Sequence, residues 1–133
     1  MNEPPIPSDT FPAILGLEMV EAGPNRVIAT LDAQRHHHQP YGVVHGGVYC
    51  SIVETLASWG GALWAMEQGM AGVVGVSNTT DFLRPHKKGL LTGVANPLHR
   101  GRTQQVWTVE ITNEEGKLVA HGQLRVQNLA ELP

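Results

Sequence analysis

QPYGVVHGGVYCSIVETLASWGGALWAMEQ, residues 39–68, is the stretch on which the reading of this chain turns. It opens with a turn at Pro40, Tyr41 and Gly42 and passes His45-Gly46-Gly47. It then runs for about six turns without a proline, which predicts one helix, long for a globular domain. In a chain of 133 residues such a helix must lie at the core. At about 100° per residue, Val48, Ile52, Leu56, Trp59, Leu63 and Met66 fall on one stripe, the side expected to meet a sheet. Ser51, Glu54, Thr55 and Ser58 fall on another stripe, a quarter-turn or more away. Desolvating an unpaired carboxylate in the middle of an apolar helix costs on the order of several kcal/mol. Glu54 therefore needs either a partner or a task.

Outward from the helix the pattern changes to period two. Val73–Leu83 is rich in β-branched residues and long enough for a central strand, and Arg84-Pro85 ends it because proline offers no N–H to a ladder. Leu90–Leu98 is the next strand, and His99–Thr103 is a basic turn around Gly101. Gln105–Thr112 alternates Trp107, Val109 and Ile111 with polar residues, Asn113–Lys117 is a hairpin loop, and Leu118–Gln127 alternates again. Before the helix, Glu18–Asp32 reads as two strands about the turn Gly23-Pro24-Asn25, and Phe11–Leu17 as a short helical turn. Residues 1–12 carry four prolines and read as a loosely ordered arm, which leaves 13–133 as a single domain. Short connections throughout leave no room for crossover helices. The fold class is therefore α+β, with a curved antiparallel sheet wrapped around one long central helix.

Nine Lys and Arg against twelve Asp and Glu give a net charge of −3, which argues against nucleic acid as a partner. The cations cluster, with Arg84, His86, Lys87 and Lys88 in one group and His99, Arg100 and Arg102 in another, two spots suited to an anionic ligand. A single cysteine, Cys50, rules out an intrachain disulfide and reads as a small core residue. With no signal-like opening and no apolar run of membrane-spanning length, a cytoplasmic location off the membrane is expected. His36, His37 and His38 invite a metal reading. On a loop their side chains diverge, and no Cys or acid stands at ligand spacing, so a solvated loop or rim contact is expected and no metal site.

A His-Gly-Gly turn opening a long helix, with an acid nine residues after the histidine, resembles the hotdog fold. VVHGGVYCSIVETLAS, then NTTDFLRP, then HRGRTQQVW resemble the acyl-CoA thioesterases of the 4-hydroxybenzoyl-CoA thioesterase and PaaI-like family, over about residues 14–128. The resemblance implies cleavage of a coenzyme A thioester without metal or bound cofactor. It puts the family's acid on Glu54, as nucleophile or as general base toward water, and the backbone N–H that polarises the thioester carbonyl on Gly46. It puts the loop glutamine on Gln39 and the hydroxyl four residues after the acid on Ser58. His45 either fixes the turn or touches substrate. The phosphates of coenzyme A then give Arg100, Arg102 and Thr103, and less directly Arg84, a use. The resemblance leans toward aryl or medium-chain acyl groups.

Gly46 and Glu54 are eight residues apart, about 12 Å of helical rise, too far for both to touch one thioester carbon. The oxyanion donor of one subunit is therefore expected to face Glu54 of another, with helices antiparallel across a two-fold axis. That makes a homodimer at least, and the resemblance extends it to a homotetramer. Two other classes remain. A hotdog hydratase wants an Asp and His pair near the helix start, where this chain has a lone Glu two turns in. A non-enzymatic acyl-CoA-binding module would keep the basic turn and dispense with Glu54, which would then be a carboxylate satisfied by Ser58 or by a neighbouring subunit.

Overall fold

The computed structural model describes residues 6–133. Of the arm expected over 1–12, residues 1–5 lie outside the described residues, and Phe11 and Pro12 belong instead to a short helix, α1 (Phe11–Leu15). Then follow β1 (Glu18–Ala22), β2 (Val27–Ala33), the long helix α2 (Gly46–Glu67), β3 (Gly72–Phe82), β4 (Gly89–Arg100), β5 (Gln104–Thr112) and β6 (Leu118–Leu129). The strands form one antiparallel sheet in the order β1-β2-β4-β5-β6-β3, curved around α2, the hotdog arrangement. Among the described residues no helix is long and apolar enough to cross a membrane.

The period-two readings hold in the strands that face the helix. Val27, Ala29, Leu31 and Ala33 of β2 are buried, as are Trp107, Val109 and Ile111 of β5 and Ala120, Gly122, Leu124 and Val126 of β6. At the NEEGK loop, the Asn113 carboxamide oxygen accepts from the Glu115 and Lys117 N–H groups. Gly116 there takes a positive φ of 79°, a conformation that costs glycine little.

Two expectations are corrected. β3, read as a central strand, lies at the edge of the sheet and pairs only with β6. Val74, Val76 and Phe82 are exposed along it. Its β-branched composition reflects strand propensity, which does not distinguish an edge from a centre. The apolar stripe of α2 is right only in its first half. Val48, Ile52 and Leu56 face the sheet, but beyond them Ala57, Gly60, Gly61 and Ala65 are the buried positions, while Trp59 and Leu63 are only partly covered and Met66 is half exposed. The cause is Trp107, which is fully buried. Its ring comes so close to α2 that a Cβ on Gly60 would sit 2.5 Å from it, so only a residue without a side chain fits there. The large apolar residues turn outward instead.

Candidate active site

The helix start is built by its turn. The His45 backbone is extended and its Nδ1 accepts from the Gly47 N–H at 2.8 Å, while its own N–H donates to His37 O at 2.8 Å. His45 is therefore the N-cap, and with Nδ1 accepting, the ring proton sits on Nε2. Gly46 is the first helical residue, and its N–H, one of the four that a helix leaves unpaired, takes no partner among the described residues. The Phe82 ring lies against it, so close that a Cβ on Gly46 would collide with Cε2 and Cζ of that ring. Gln39 accepts from the Tyr41 N–H through its side chain, which holds the carboxamide beside the same opening. Gln39, Gly46, Tyr49, Phe82 and Arg84 line one cavity of about 270 Å³.

The acid lies elsewhere. Glu54 lines a cavity of about 510 Å³ with Thr55, Ser58, Trp59, Leu63 and Met66, closed at one side by Phe11 and Pro12 of α1. A neighbouring space of about 330 Å³ joins Glu54 to Cys50 and Asn78. The burial expected for Glu54 is not met in the single chain. Its side chain is exposed and forms no ion pair among the described residues. No hydrogen bond joins it to Ser58, which is partly buried beside it. β3 bulges between Gly75 and Ser77, next to the acid, where a Cβ on Gly75 would stand 3.7 Å from Glu54 Cδ. Bulges commonly bend a strand where a site needs room. One residue further along, Asn78 Nδ2 donates to Cys50 O at 3.0 Å and so ties the edge strand to the helix.

Gln39 and Gly46 thus share one cavity and Glu54 and Ser58 another, and no cavity of the single chain holds both sets. The cationic residues separate too. Arg84 is exposed and lines the Gly46 cavity. Arg100 is engaged: Nη1 donates to Pro24 O at 2.8 Å and Asn25 Oδ1 at 2.9 Å, and the guanidinium lies 5.5 Å from the centre of the Trp64 ring. It clamps the β1–β2 turn to the end of α2, whereas Arg102 and Thr103, on the β4–β5 turn, point to solvent.

His37 corrects the reading of the three histidines. It is buried, accepts from the Gln34 N–H at 2.9 Å through Nδ1 and donates from Nε2 to Leu15 O at 2.6 Å, fastening the loop to α1. His38 donates to Lys87 O. Among the described residues no group of three His, Cys, Asp or Glu side chains is placed to hold a metal. Trp59 and Met66 line the Glu54 cavity and Phe82 the Gly46 cavity, as side chains suited to bound an acyl pocket, whereas Asn78 and Leu63 line these spaces without having been singled out from the sequence. A lone asparagine inside a β-branched strand was the available signal for Asn78. Tyr49 is buried with its hydroxyl unpartnered, and burial pushes its pKa up to about 12.

Comparison with known proteins gives this geometry a family. The thioesterase superfamily model matches residues 41–120. The solved structure of Rv1847/MT1895 from Mycobacterium tuberculosis is 47% identical, with a TM-score of 0.88 over 92% of this chain and 98% of that one. The thioesterase HI1161 from Haemophilus influenzae superposes with a TM-score of 0.85 at 36% identity, covering 93% of this chain and 87% of its own. The proofreading thioesterase EntH of Cronobacter turicensis is 36% identical over 103 residues, 77% of this chain and 74% of EntH. By these matches this chain belongs to the thioesterase superfamily.

Proposed function

We propose that the protein is an acyl-CoA thioesterase whose active site is completed by two copies of the chain. The observation that carries the reading is Glu54: a carboxylate beside Ser58, set over an apolar cavity of about 510 Å³, with no ion-pair partner among the described residues. An acyl chain or aryl ring fills such a cavity, and its thioester carbon comes to the acid.

Gly46 of the facing copy supplies the N–H for the carbonyl oxygen. The positive end of α2 lies behind that N–H, so charge developing on the oxygen is stabilised most in the transition state. Gln39 of that copy lies beside the same oxygen or the attacking water, and His45 holds the turn that aims both. Glu54 then takes one of two parts. As general base it removes a proton from water, whose oxygen attacks the carbonyl; the tetrahedral intermediate collapses, the C–S bond breaks, and the proton passes to the coenzyme A thiolate. As nucleophile it attacks directly, expels the thiolate and forms an anhydride that water opens. Ser58 places water in either case.

The edge of β3 suits this assembly. Along its eleven residues the groups of alternate residues that point away from β6 pair with no other strand among the described residues, and long exposed apolar edges are normally covered. Pairing two β3 edges brings the helices side by side and antiparallel, so that the Gly46 cavity of one copy meets the Glu54 cavity of the other. Stacking of such dimers gives the tetramer. Arg102, Thr103 and, from the facing copy, Arg84 take the phosphates of coenzyme A. Arg100 serves the fold.

The test is thiol release from a panel of aryl- and fatty-acyl-CoAs by wild type and Glu54→Ala. A loss of about two or more orders of magnitude in kcat, with fold and oligomer size unchanged, is expected. Binding of acyl-CoA without thiol release by wild type would transfer the reading to a binding module.

A further inference from the structure

A buried polar network runs from the middle of α2 to the β4–β5 turn. Trp107 Nε1 donates to Gln105 Oε1 at 2.8 Å. Gln105 Nε2 donates to Gly61 O at 3.0 Å and to Asn128 Oδ1 at 2.8 Å. Asn128 in turn holds three successive carbonyls: Nδ2 donates to Gly101 O at 3.0 Å and Arg102 O at 3.1 Å, and its backbone N–H to Thr103 O at 2.9 Å. Gln105 is fully buried and Asn128 nearly so. Buried polar side chains that satisfy every neighbour fix one geometry and make others costly.

That geometry has a consequence at the surface. In a trans peptide the N–H points opposite to the C=O. With the Gly101 and Arg102 carbonyls drawn inward to Asn128, the N–H groups of Arg102 and Thr103 are turned outward, and neither donates to another group among the described residues. Successive outward N–H groups form a concavity suited to an anion, here on a turn whose Arg102 and Thr103 are exposed. We infer that Asn128, oriented by Gln105, is a positioning residue that sets the β4–β5 turn as a backbone phosphate cradle for the nucleotide end of the substrate. The inference rests on the coenzyme A reading of that turn and adds its cause. Arg100, the last residue of β4 before that turn, is itself held by Trp64, Pro24 O and Asn25 Oδ1.

Asn128→Asp tests it, because the carboxylate keeps the shape and the acceptor for Gln105 but loses the donor to both carbonyls. Its kinetics are compared on an acyl-CoA and on the same acyl thioester of pantetheine, which lacks the nucleotide, with Arg102→Ala alongside. The expected result is a KM for acyl-CoA raised about tenfold, the size of one lost charge-assisted hydrogen bond, with kcat and the pantetheine kinetics within about twofold of wild type. Where Asn128→Asp does not fold, Asn128→Thr, which suits a strand and keeps one donor, is expected to give a smaller shift of the same kind. Equal losses on both substrates would make Asn128 merely structural and overturn the inference. A raised KM in Arg102→Ala with none in the Asn128 variants would overturn it and leave the coenzyme A reading standing. No effect of Arg102→Ala on either substrate would remove both.

Discussion

The two faces of α2 solve opposite problems with the same helix. The inward face is closed: Ile52, Val53 and Leu56 meet the sheet, and Gly60 and Gly61 let Trp107 and Gln105 come up to the backbone. The outward face carries Trp59, Leu63 and Met66 around Glu54 and leaves them partly open. A helix designed only for a monomer would put its bulk inside and its polar residues outside. Here the bulk of the second half is outside, and it lines one cavity with Glu54. The difference separates the face that holds the fold from a face that the single chain leaves partly open.

The contrast is broken most sharply at Glu54. Replacement by Gln is expected to lower kcat by at least about a hundredfold, the usual contribution of a positioned acid or base, while the thermal midpoint stays within a few degrees. Steady-state thiol release together with a melting curve checks both halves. Next come the inward positions. Trp107→Ala should cost about 3 to 5 kcal/mol as a cavity, and Gly60→Val about 3 kcal/mol by overpacking against the same ring, both read from urea midpoints at constant m. The outward face should answer differently. Leu63→Ala is expected to change stability by no more than about 1 kcal/mol yet to shift the kcat/KM ratio between short and long acyl-CoAs about tenfold. If its loss of stability matches that of Trp107→Ala, the outward face is core and the contrast fails.

The smallest effect belongs to Tyr49. Its hydroxyl is buried without a partner, so Tyr49→Phe removes an uncompensated polar group and should stabilise the protein by about 1 kcal/mol. Burial holds the folded-state pKa up at about 12, above its unfolded value near 10. The neutral phenol is favoured in the folded state, so this contribution is present below pH 10 and is lost only as the pH climbs toward 12. Wild type should therefore lose stability over that alkaline window relative to Tyr49→Phe.

Much of this was legible in the sequence, and what was missed has common causes. Alternation in β2, β5 and β6 registered because each has one face on the core, and the span of α2 followed from its turn and its lack of proline. The second half of α2 misled because hydropathy counts side chains, and at Gly60 and Gly61 the closest packing is made by their absence. β3 misled because a strand destined for an edge uses the same β-branched residues as a central one. Glu54 stood out because a carboxylate in the middle of an apolar helix was expected to be buried, but the helix leaves that side of the single chain open and the side chain is exposed. His37 and Arg100 belong to another class. Whether a His or Arg is free or engaged depends on distant backbone carbonyls, Leu15 O and Pro24 O, and no local pattern reveals them. The Asn128 network escaped for the same reason.

If Glu54 works with the helix start of another copy, mixed assemblies regain activity that neither parent has. Glu54→Ala and Gln39→Ala are each prepared, shown to be folded and nearly inactive, then co-refolded in equal amounts so that mixed dimers form. A shared site leaves one intact site in each mixed dimer, so activity should return to about a quarter of wild type. If the mixture stays as inactive as its two parents while mass spectrometry shows mixed dimers present, Glu54 and Gln39 act within one chain and the shared-site account is wrong.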